Sequence, residues 1–210
     1  MDTRAGIDCL WTSAIVIDPQ SPSTLYAGSW NGGAYKSMDG GTSWSAVSSG
    51  LPRGSVSALA IDPRNTSTVY AATGGGVFKS TDGGASWSST GLASGSNALA
   101  IDPQNTTTLY AATSSGFFKS TDGGASWRNL FASSTNAIAI HPQNPSTIYA
   151  GADAGVFRST DGGGSWTPVP GGPSRVLLLA LDPQDPNTVY AGGPGGLFAI
   201  SQNGEKGLND

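Results

Sequence analysis

The sequence predicts an all-β fold, a β-propeller of four-stranded antiparallel blades, with five blades favoured. Two observations carry this prediction. A segment of the type I-D-P-Q-N-T-T-T-L-Y-A-A occurs five times in the 210 residues, and a segment of the type S-T-D-G-G-A-S-W follows four of these copies, at intervals of roughly 40 residues. The second observation is that the apolar and β-branched residues form short runs between Gly, Pro and Asp, without helical periodicity.

The second repeat shows how one blade divides into strands. Residues 58–61 are a short apolar run that ends before Pro63, since proline cannot donate to a β-ladder. Residues 68–72 are rich in β-forming side chains, and residues 77–80 form a third run. The Asp and Gly residues of 81–85 favour a hairpin turn, after which Trp87 is predicted to open the fourth strand.

The chain is therefore predicted to be one propeller domain, 1–210. Its repeats span about 14–55, 56–96, 97–135, 136–174 and 175–204, and residues 205–210 are a tail. The fifth repeat lacks the D-G-G segment and offers three strands, at 176–181, 188–191 and 197–201. We expect residues 1–13, with a strand at about 3–10, to supply the missing strand and close the ring, because closure hides strand edges. Two alternatives are that the chain is part of a larger propeller, or that two chains share blades.

The recurring S-x-D-G-G-x-S-W segment resembles the Asp-box, or BNR repeat, of sialidases, sortilin, xyloglucan-degrading glycosidases and the photosystem II assembly factor family. The resemblance covers nearly the whole chain. It implies that each box is the turn between the third and fourth strands of a blade, with its Asp bonded to the turn and its Trp packed in the blade. The positions concerned are Asp39, Trp44, Asp82, Trp87, Asp122, Trp127, Asp161 and Trp166.

We interpret these repeated residues as architecture. Four equivalent carboxylates on four blades cannot form one glycosidase pair, which requires a separation of about 5–9.5 Å. The same interpretation applies to the Asp that precedes each proline and to His141, which takes that place in the fourth repeat. The cations Lys36, Lys79, Lys119 and Arg158 are interpreted as solvated strand residues or partners of acids in their own blade, with an anion-attracting ring as the alternative.

The resemblance to sialidases does not extend to their active site. That site uses an arginine triad, a Tyr nucleophile assisted by Glu, and an Asp acid/base. This chain has one Glu, Glu205, and most of its tyrosines occupy one repeated position. We therefore expect no catalytic residues, no metal and no cofactor; if the chain is an enzyme, a glycoside hydrolase is the expected class.

Departures from the repeat are better candidates for ligand binding. On the face opposite the box turns, the predicted loops carry residues that the other repeats lack: Trp30, Asn31, Arg53, Phe131, Asp153 and Arg175. An aromatic face and nearby polar groups are suited to a peptide or a sugar.

Composition limits the partners. The net charge is −4 and the ten Lys and Arg residues are dispersed, which argues against nucleic acid. No run of apolar residues is long enough for a membrane span, and the first residues do not resemble a signal peptide. The Thr- and Ser-rich, Lys-poor composition favours an extracellular or periplasmic bacterial protein. We also expect the protein to be a monomer.

The sequence thus predicts a non-catalytic binding or scaffold propeller that presents a loop face to a protein or peptide. The alternative is a carbohydrate-binding or glycosidase-related propeller, which includes a fragment of a larger enzyme. The near identity of the second and third repeats is also compatible with a recently amplified or engineered repeat without an evolved ligand.

Overall fold

Residues 11–201 are described in a computed structural model, and within them every regular element is a β-strand. Blade 1 contains β1 (Thr12–Ile17), β2 (Leu25–Ser29), β3 (Gly33–Ser37) and β4 (Ser45–Ala46). Blade 2 contains β5 (Val56–Ile61), β6 (Val69–Thr73), β7 (Gly76–Ser80) and β8 (Ser88–Ser89). Blade 3 contains β9 (Ser96–Ile101), β10 (Leu109–Thr113), β11 (Gly116–Ser120) and β12 (Arg128–Phe131). Blade 4 contains β13 (Thr135–Ile140), β14 (Ile148–Ala152), β15 (Gly155–Ser159) and β16 (Thr167–Val169), and blade 5 contains β17 (Leu178–Leu181), β18 (Thr188–Gly193) and β19 (Gly196–Ser201).

Each blade is one antiparallel sheet whose strands are paired in chain order. Blades 1 to 4 have four strands, and blade 5 has three among the described residues. The predicted all-β propeller fold is therefore confirmed. The predicted closing strand at about 3–10 lies outside the described residues, and residue 11 precedes β1 directly.

Strand boundaries differ from the expectations by one or two residues. The first strand of blade 2 starts at Val56, and its fourth strand starts at Ser88, so Trp87 ends the box turn and does not open the strand. Blades 1, 3 and 4 begin at Thr12, Ser96 and Thr135. In each of these blades a β-bulge interrupts the pairing near the start of the first strand, which adds a residue that sequence alternation does not show.

The blades pack side by side through their first strands. β1 contacts β5, β5 contacts β9, β9 contacts β13, and β13 contacts β17. Within residues 11–201 no comparable contact joins β17 back to β1. The described blades therefore form an ordered series with two end blades.

Each blade has a leading face, which meets the following blade, and a trailing face, which meets the preceding one. The core between blades 1 and 2 combines Tyr26 and Ala34 of one leading face with Leu59, Val69 and Trp87 of the next trailing face. Equivalent clusters fill the other three junctions. The core of the molecule is thus a set of inter-blade layers, in which the strand alternation gives every blade two apolar faces.

The hairpin between the second and third strands requires glycine at its end. Gly76 has φ +116°, and a Cβ added there would lie 1.8 Å from the carbonyl oxygen of Leu92. Positive φ and close approach of another backbone both favour glycine. These hairpins, together with the loops between blades, form the second face of the propeller, opposite the box turns.

Candidate functional site

Each box turn is held by one carboxylate and one serine. In blade 2, Asp82 Oδ1 accepts hydrogen bonds from Ser80 Oγ at 2.7 Å and from Ser86 N at 2.9 Å, and Ser86 Oγ donates to Oδ2. Ser80 Oγ in turn accepts a hydrogen bond from Gly84 N at 2.8 Å. The same contacts recur around Asp39, Asp122 and Asp161. The carboxylate oxygens are therefore engaged within their own turn.

These hydrogen bonds stabilise the ionised carboxylate. They lower the pKa of Asp39, Asp82 and Asp122 to about 2, and the largest cause is the serine hydroxyl four residues further on. The pKa of Asp161 is also lowered, by Ser165 first. A general acid requires the opposite shift, towards the working pH. The box carboxylates are thus suited to turn stabilisation.

The box turns also join successive blades. Gly83 of blade 2 presents its carbonyl oxygen to blade 1, where it accepts hydrogen bonds from Tyr26 Oη at 3.0 Å and Lys36 Nζ at 3.1 Å. Lys36 Nζ lies 5.1 Å from the centroid of the Tyr26 ring, a cation–π distance. The two following junctions repeat this arrangement, with Tyr70 and Lys79 on Gly123, and Tyr110 and Lys119 on Gly162.

The repeated cations therefore differ from the sequence interpretation. Lys36 was expected in solvent or near acids of its own blade, but it is half-buried and donates to the following blade. Burial lowers the pKa of Lys119, and it raises the pKa of Tyr110 to about 12 with a further contribution from Asp102. Lys36, Lys79 and Lys119 are therefore parts of the junctions between blades.

The turn after each first strand is built on its Asp-Pro pair. Asp62 Oδ1 accepts hydrogen bonds from the backbone N–H groups of Arg64 and Asn65 at 2.9 and 3.2 Å. In blade 4, His141 Nδ1 accepts the equivalent bonds from Gln143 and Asn144 at 3.2 and 3.1 Å. The single histidine thus takes the structural position of the aspartates.

The second face contains a charged cluster at the junction of blades 4 and 5. Arg175 Nε donates to Asp153 Oδ1 at 3.0 Å, and both side chains are about half exposed. Asn136 Nδ2 donates to the same Oδ1 at 3.0 Å and to the carbonyl of Val176, also at 3.0 Å. These contacts lower the pKa of Asp153, with the Asn136 hydrogen bond as the largest cause, ahead of Arg175. Asp153 and Arg175, two of the predicted binding residues, are thus brought together.

The other predicted binding residues lie apart from this pair. Trp30 is 58% exposed at the tip of the first hairpin, and Asn31 in the same turn is bonded to Ser29. Arg53 is exposed in the loop between β4 and β5. Phe131 packs between blades, with its ring centroid 4.7 Å from Phe157, so its contacts are those of a core residue.

Asn136 was missed by the sequence reasoning. A signal for it exists, because the residue after the start of each first strand is Ser13, Ser57, Asn97 or Asn136 in blades 1 to 4. Each of these side chains donates to a backbone carbonyl of the following blade. The pattern was hidden by the small and variable side chains at this position.

Residues 11–201 carry neither a metal-binding cluster nor a membrane-spanning helix. They contain no group of three or more His, Cys, Asp or Glu side chains placed to hold a metal ion. No helix of membrane-spanning length and hydropathy occurs among them either.

Comparison with solved structures supports the fold assignment. An ancestral GH74 enzyme superposes with a TM-score of 0.81 at 24% identity over 94% of this chain. The GH74 xyloglucanase from Xanthomonas campestris gives 0.77 at 19% identity over 91%, and YCF48 bound to D1 peptide gives 0.67 at 18% over 96%. This chain spans 30%, 37% and 67% of those three chains. No protein-family model and no curated protein sequence matches it. The class that fold and geometry define is a β-propeller built of repeated blades.

Proposed function

We propose that this protein is a non-catalytic binding propeller whose second face takes a protein or peptide partner. The observation that carries the proposal is the half-exposed Asp153–Arg175 pair, which Asn136 fixes at the junction of two blades. An oriented carboxylate and guanidinium offer a peptide both a donor and an acceptor, and ordered charge is suited to recognition. The exposed Trp30 ring supplies apolar area on the same face.

The carboxylates support a role without catalysis. The carboxyl groups with a resolved pKa shift in residues 11–201 all have a lowered pKa, and each accepts hydrogen bonds that favour its ionised form. Such groups are poor proton donors near neutral pH. One of the structural neighbours, YCF48, has a structure with bound D1 peptide, which also favours a peptide partner. The structural neighbours also include the extracellular domain of a putative hybrid two-component system from B. thetaiotaomicron, with a TM-score of 0.76 at 14% identity, which favours an extracellular or periplasmic location.

A peptide selection tests the proposal. A phage-displayed peptide library is selected on the immobilised chain, and the enriched peptides are titrated by fluorescence anisotropy. We expect Arg175→Ala and Trp30→Ala each to weaken binding about tenfold, the loss typical of an interface anchor. Arg128→Ala is the matched control, since Arg128 is exposed at the start of β12, next to the box turn. Equal binding by all three variants would contradict this location of the site.

The second candidate function is carbohydrate binding or hydrolysis. It is favoured by the two GH74 neighbours and by the exposed aromatic ring of Trp30, a suitable stacking surface for a sugar. A glycan array and a panel of oligosaccharide substrates separate the two functions. Turnover that disappears in Asp153→Asn would overturn the non-catalytic proposal, whereas glycan binding without turnover would replace the peptide by a sugar.

A further inference from the structure

Among residues 11–201, none covers the leading face of blade 5, whereas the other leading faces are buried. Leu197 on β19 is 73% exposed, whereas the equivalent Ala34, Val77, Phe117 and Val156 are at most 2% exposed. Leu178 on β17 is 72% exposed on the same face. Blades 1 to 4 show what such a face packs against, because each is covered by the trailing face of the next blade.

In the described part of the chain, the trailing face of blade 1 is exposed in the complementary way. Ile15 and Ile17 on β1 are 61% and 57% exposed, whereas the equivalent of Ile15 in blade 2, Leu59, is 6% exposed. The box tryptophans show the same difference. Trp87 Nε1 donates to Val47 of the preceding blade at 2.7 Å, whereas Trp44 Nε1 turns to Gly41 of its own turn at 3.1 Å.

The junction tyrosine of blade 5 likewise stays within its own blade. Tyr190 Oη approaches Asp182 Oδ2 at 3.4 Å, whereas Tyr26 Oη donates to Gly83 of the following blade. On the trailing side of blade 1, Gly40 occupies the position that Gly83 has in blade 2. The two end faces thus carry the two halves of the junction found inside the molecule.

Blade 5 is also more apolar than the repeat at the junction positions. Leu177 stands where the other blades have Ser or Asn, Leu178 where they have Ala, and Ala199 where they have Lys or Arg. The terminal repeats of repeat proteins are kept soluble by a polar outer face. In blade 5 the substitutions instead make the outer face more apolar. Such a face is expected to be buried in a complex.

We propose that the leading face of blade 5 docks on the trailing face of blade 1 of a second copy of this chain. The contact continues the existing series of junctions, with Leu178 and Leu197 of one copy packed against Ile15 and Ile17 of the other. One face differs from the other, so the interface is heterologous and head-to-tail. A monomer was expected from the sequence, but within residues 11–201 β17 and β1 make no contact comparable to those between adjacent first strands, which leaves both faces for a second copy.

The first test is the association state of the full chain by sedimentation velocity over a wide concentration range. We expect concentration-dependent association, which is weakened at least tenfold in the Leu178→Ser/Leu197→Ser variant and in the Ile15→Ser/Ile17→Ser variant. Met38→Thr is the control, because Met38 is 73% exposed and the other three boxes have Thr at this position. Circular dichroism establishes that each variant is folded. A wild-type chain that stays monomeric, or face variants that associate as the wild type does, would overturn the proposal.

Mixing the variants tests the head-to-tail geometry. Each face variant retains one intact face, so the two variants mixed should form a 1:1 dimer that neither forms alone. Restored dimer supports the heterologous interface, whereas an interface between two identical faces predicts no restoration in the mixture.

Ala199→Lys tests whether the interface reproduces the internal junction. In blades 1 to 3 the lysine at this position donates to a box glycine of the next blade. The variant should therefore associate more tightly than the wild type, by roughly threefold to tenfold. Thr121→Lys, at an exposed box position of blade 3, is the charge-matched control. Tightening in the control alone, or in neither variant, would contradict the proposed register.

Discussion

A single buried serine organises each box turn. Ser80 is 1% exposed, accepts from a glycine N–H two residues beyond Asp82, and donates to the carboxylate. The carboxylate then fixes the far side of the turn through Ser86. Because the serine hydroxyl and the carboxylate are bonded within the same eight residues, the shape of the turn is specified locally and can be copied from blade to blade.

The box carboxylates predict a loss of stability in acid. The folded-state pKa of Asp82 is about 2, below its ordinary value of 3.8, so the unfolded chain binds more protons between these pH values. The stabilisation is therefore complete above about pH 4 and is lost as the pH falls through about 2. Urea unfolding at a series of pH values checks this. Asp82→Asn should flatten the pH dependence in this range, and an unchanged slope would contradict the role given to the carboxylate.

The junction tyrosines predict unequal effects of removing one hydroxyl. Tyr70 Oη donates to Gly123 at 3.1 Å, whereas Tyr149 Oη interacts with Arg158 of its own blade and donates to no carbonyl oxygen within residues 11–201. Tyr70→Phe should lower the free energy of unfolding by about 1 kcal/mol. Tyr149→Phe should lower it less, because the Tyr149 hydroxyl makes no hydrogen bond to the following blade within residues 11–201. Chemical denaturation of the two variants measures both free energies of unfolding. Equal decreases would contradict the contribution assigned to the Tyr70 hydrogen bond.

At the scale of the element, the hairpins and short fourth strands depend on glycine. Gly76 and Gly91 both have positive φ, but only Gly76 is closely approached by another backbone segment, at Leu92. A Cβ at Gly91 would strain only the backbone conformation, whereas a Cβ at Gly76 would also overlap with Leu92. Comparing the two positions therefore separates these two contributions to the free energy of unfolding.

This pair gives a prediction for alanine substitutions. Gly91→Ala should destabilise by about 1 kcal/mol, the cost of a left-handed conformation for a residue with a Cβ. Gly76→Ala should cost over about 3 kcal/mol or prevent folding, because the strand pair β7 and 89–92 must separate to admit the methyl group. Thermal unfolding measures both. Similar melting temperatures would show that overlap is relieved without cost.

The repeat made the elements predictable and left their contacts undetermined. The blade, its turns and the structural position of His141 followed from spacing and turn residues. The hydrogen bond of Lys36 did not, because its acceptor, Gly83, belongs to the next blade, and a repeat pattern does not reveal partners 47 residues away. Asn136 and the pairing of Asp153 with Arg175 were hidden for the same reason.

At the scale of the whole molecule, stability is distributed along a series of junctions. Blades 2, 3 and 4 each have two neighbours, whereas the described parts of blades 1 and 5 have one neighbour each. In such arrays each unit is stabilised by its own fold and by its nearest neighbours. The end blades are therefore expected to open more readily than the middle ones.

Amide hydrogen exchange measures how readily the end blades and the middle blades open. In dilute protein, amides of β18 (Thr188–Gly193) should exchange at least tenfold faster than those of β6 (Val69–Thr73), by local opening. The two strands hold the same place in their blades, which makes them matched probes. At high concentration, docking of the end faces should slow exchange in β18 and leave β6 unchanged. Uniform protection across all five blades in dilute protein would contradict this.

The tyrosine and lysine that donate to a box glycine both belong to the preceding blade, so the hydrogen bonds of these junctions all run from one blade to the next along the chain. Gly83 is bonded by Tyr26 and Lys36, which precede it in the chain, and Gly123 is bonded by Tyr70 and Lys79. Since the N-terminal residues are synthesised first, the donors of each of these junctions leave the ribosome before their acceptor. The acceptor of each of these junctions is thus added to a chain that already carries both donors, which suits stepwise docking from the N-terminal blade onwards.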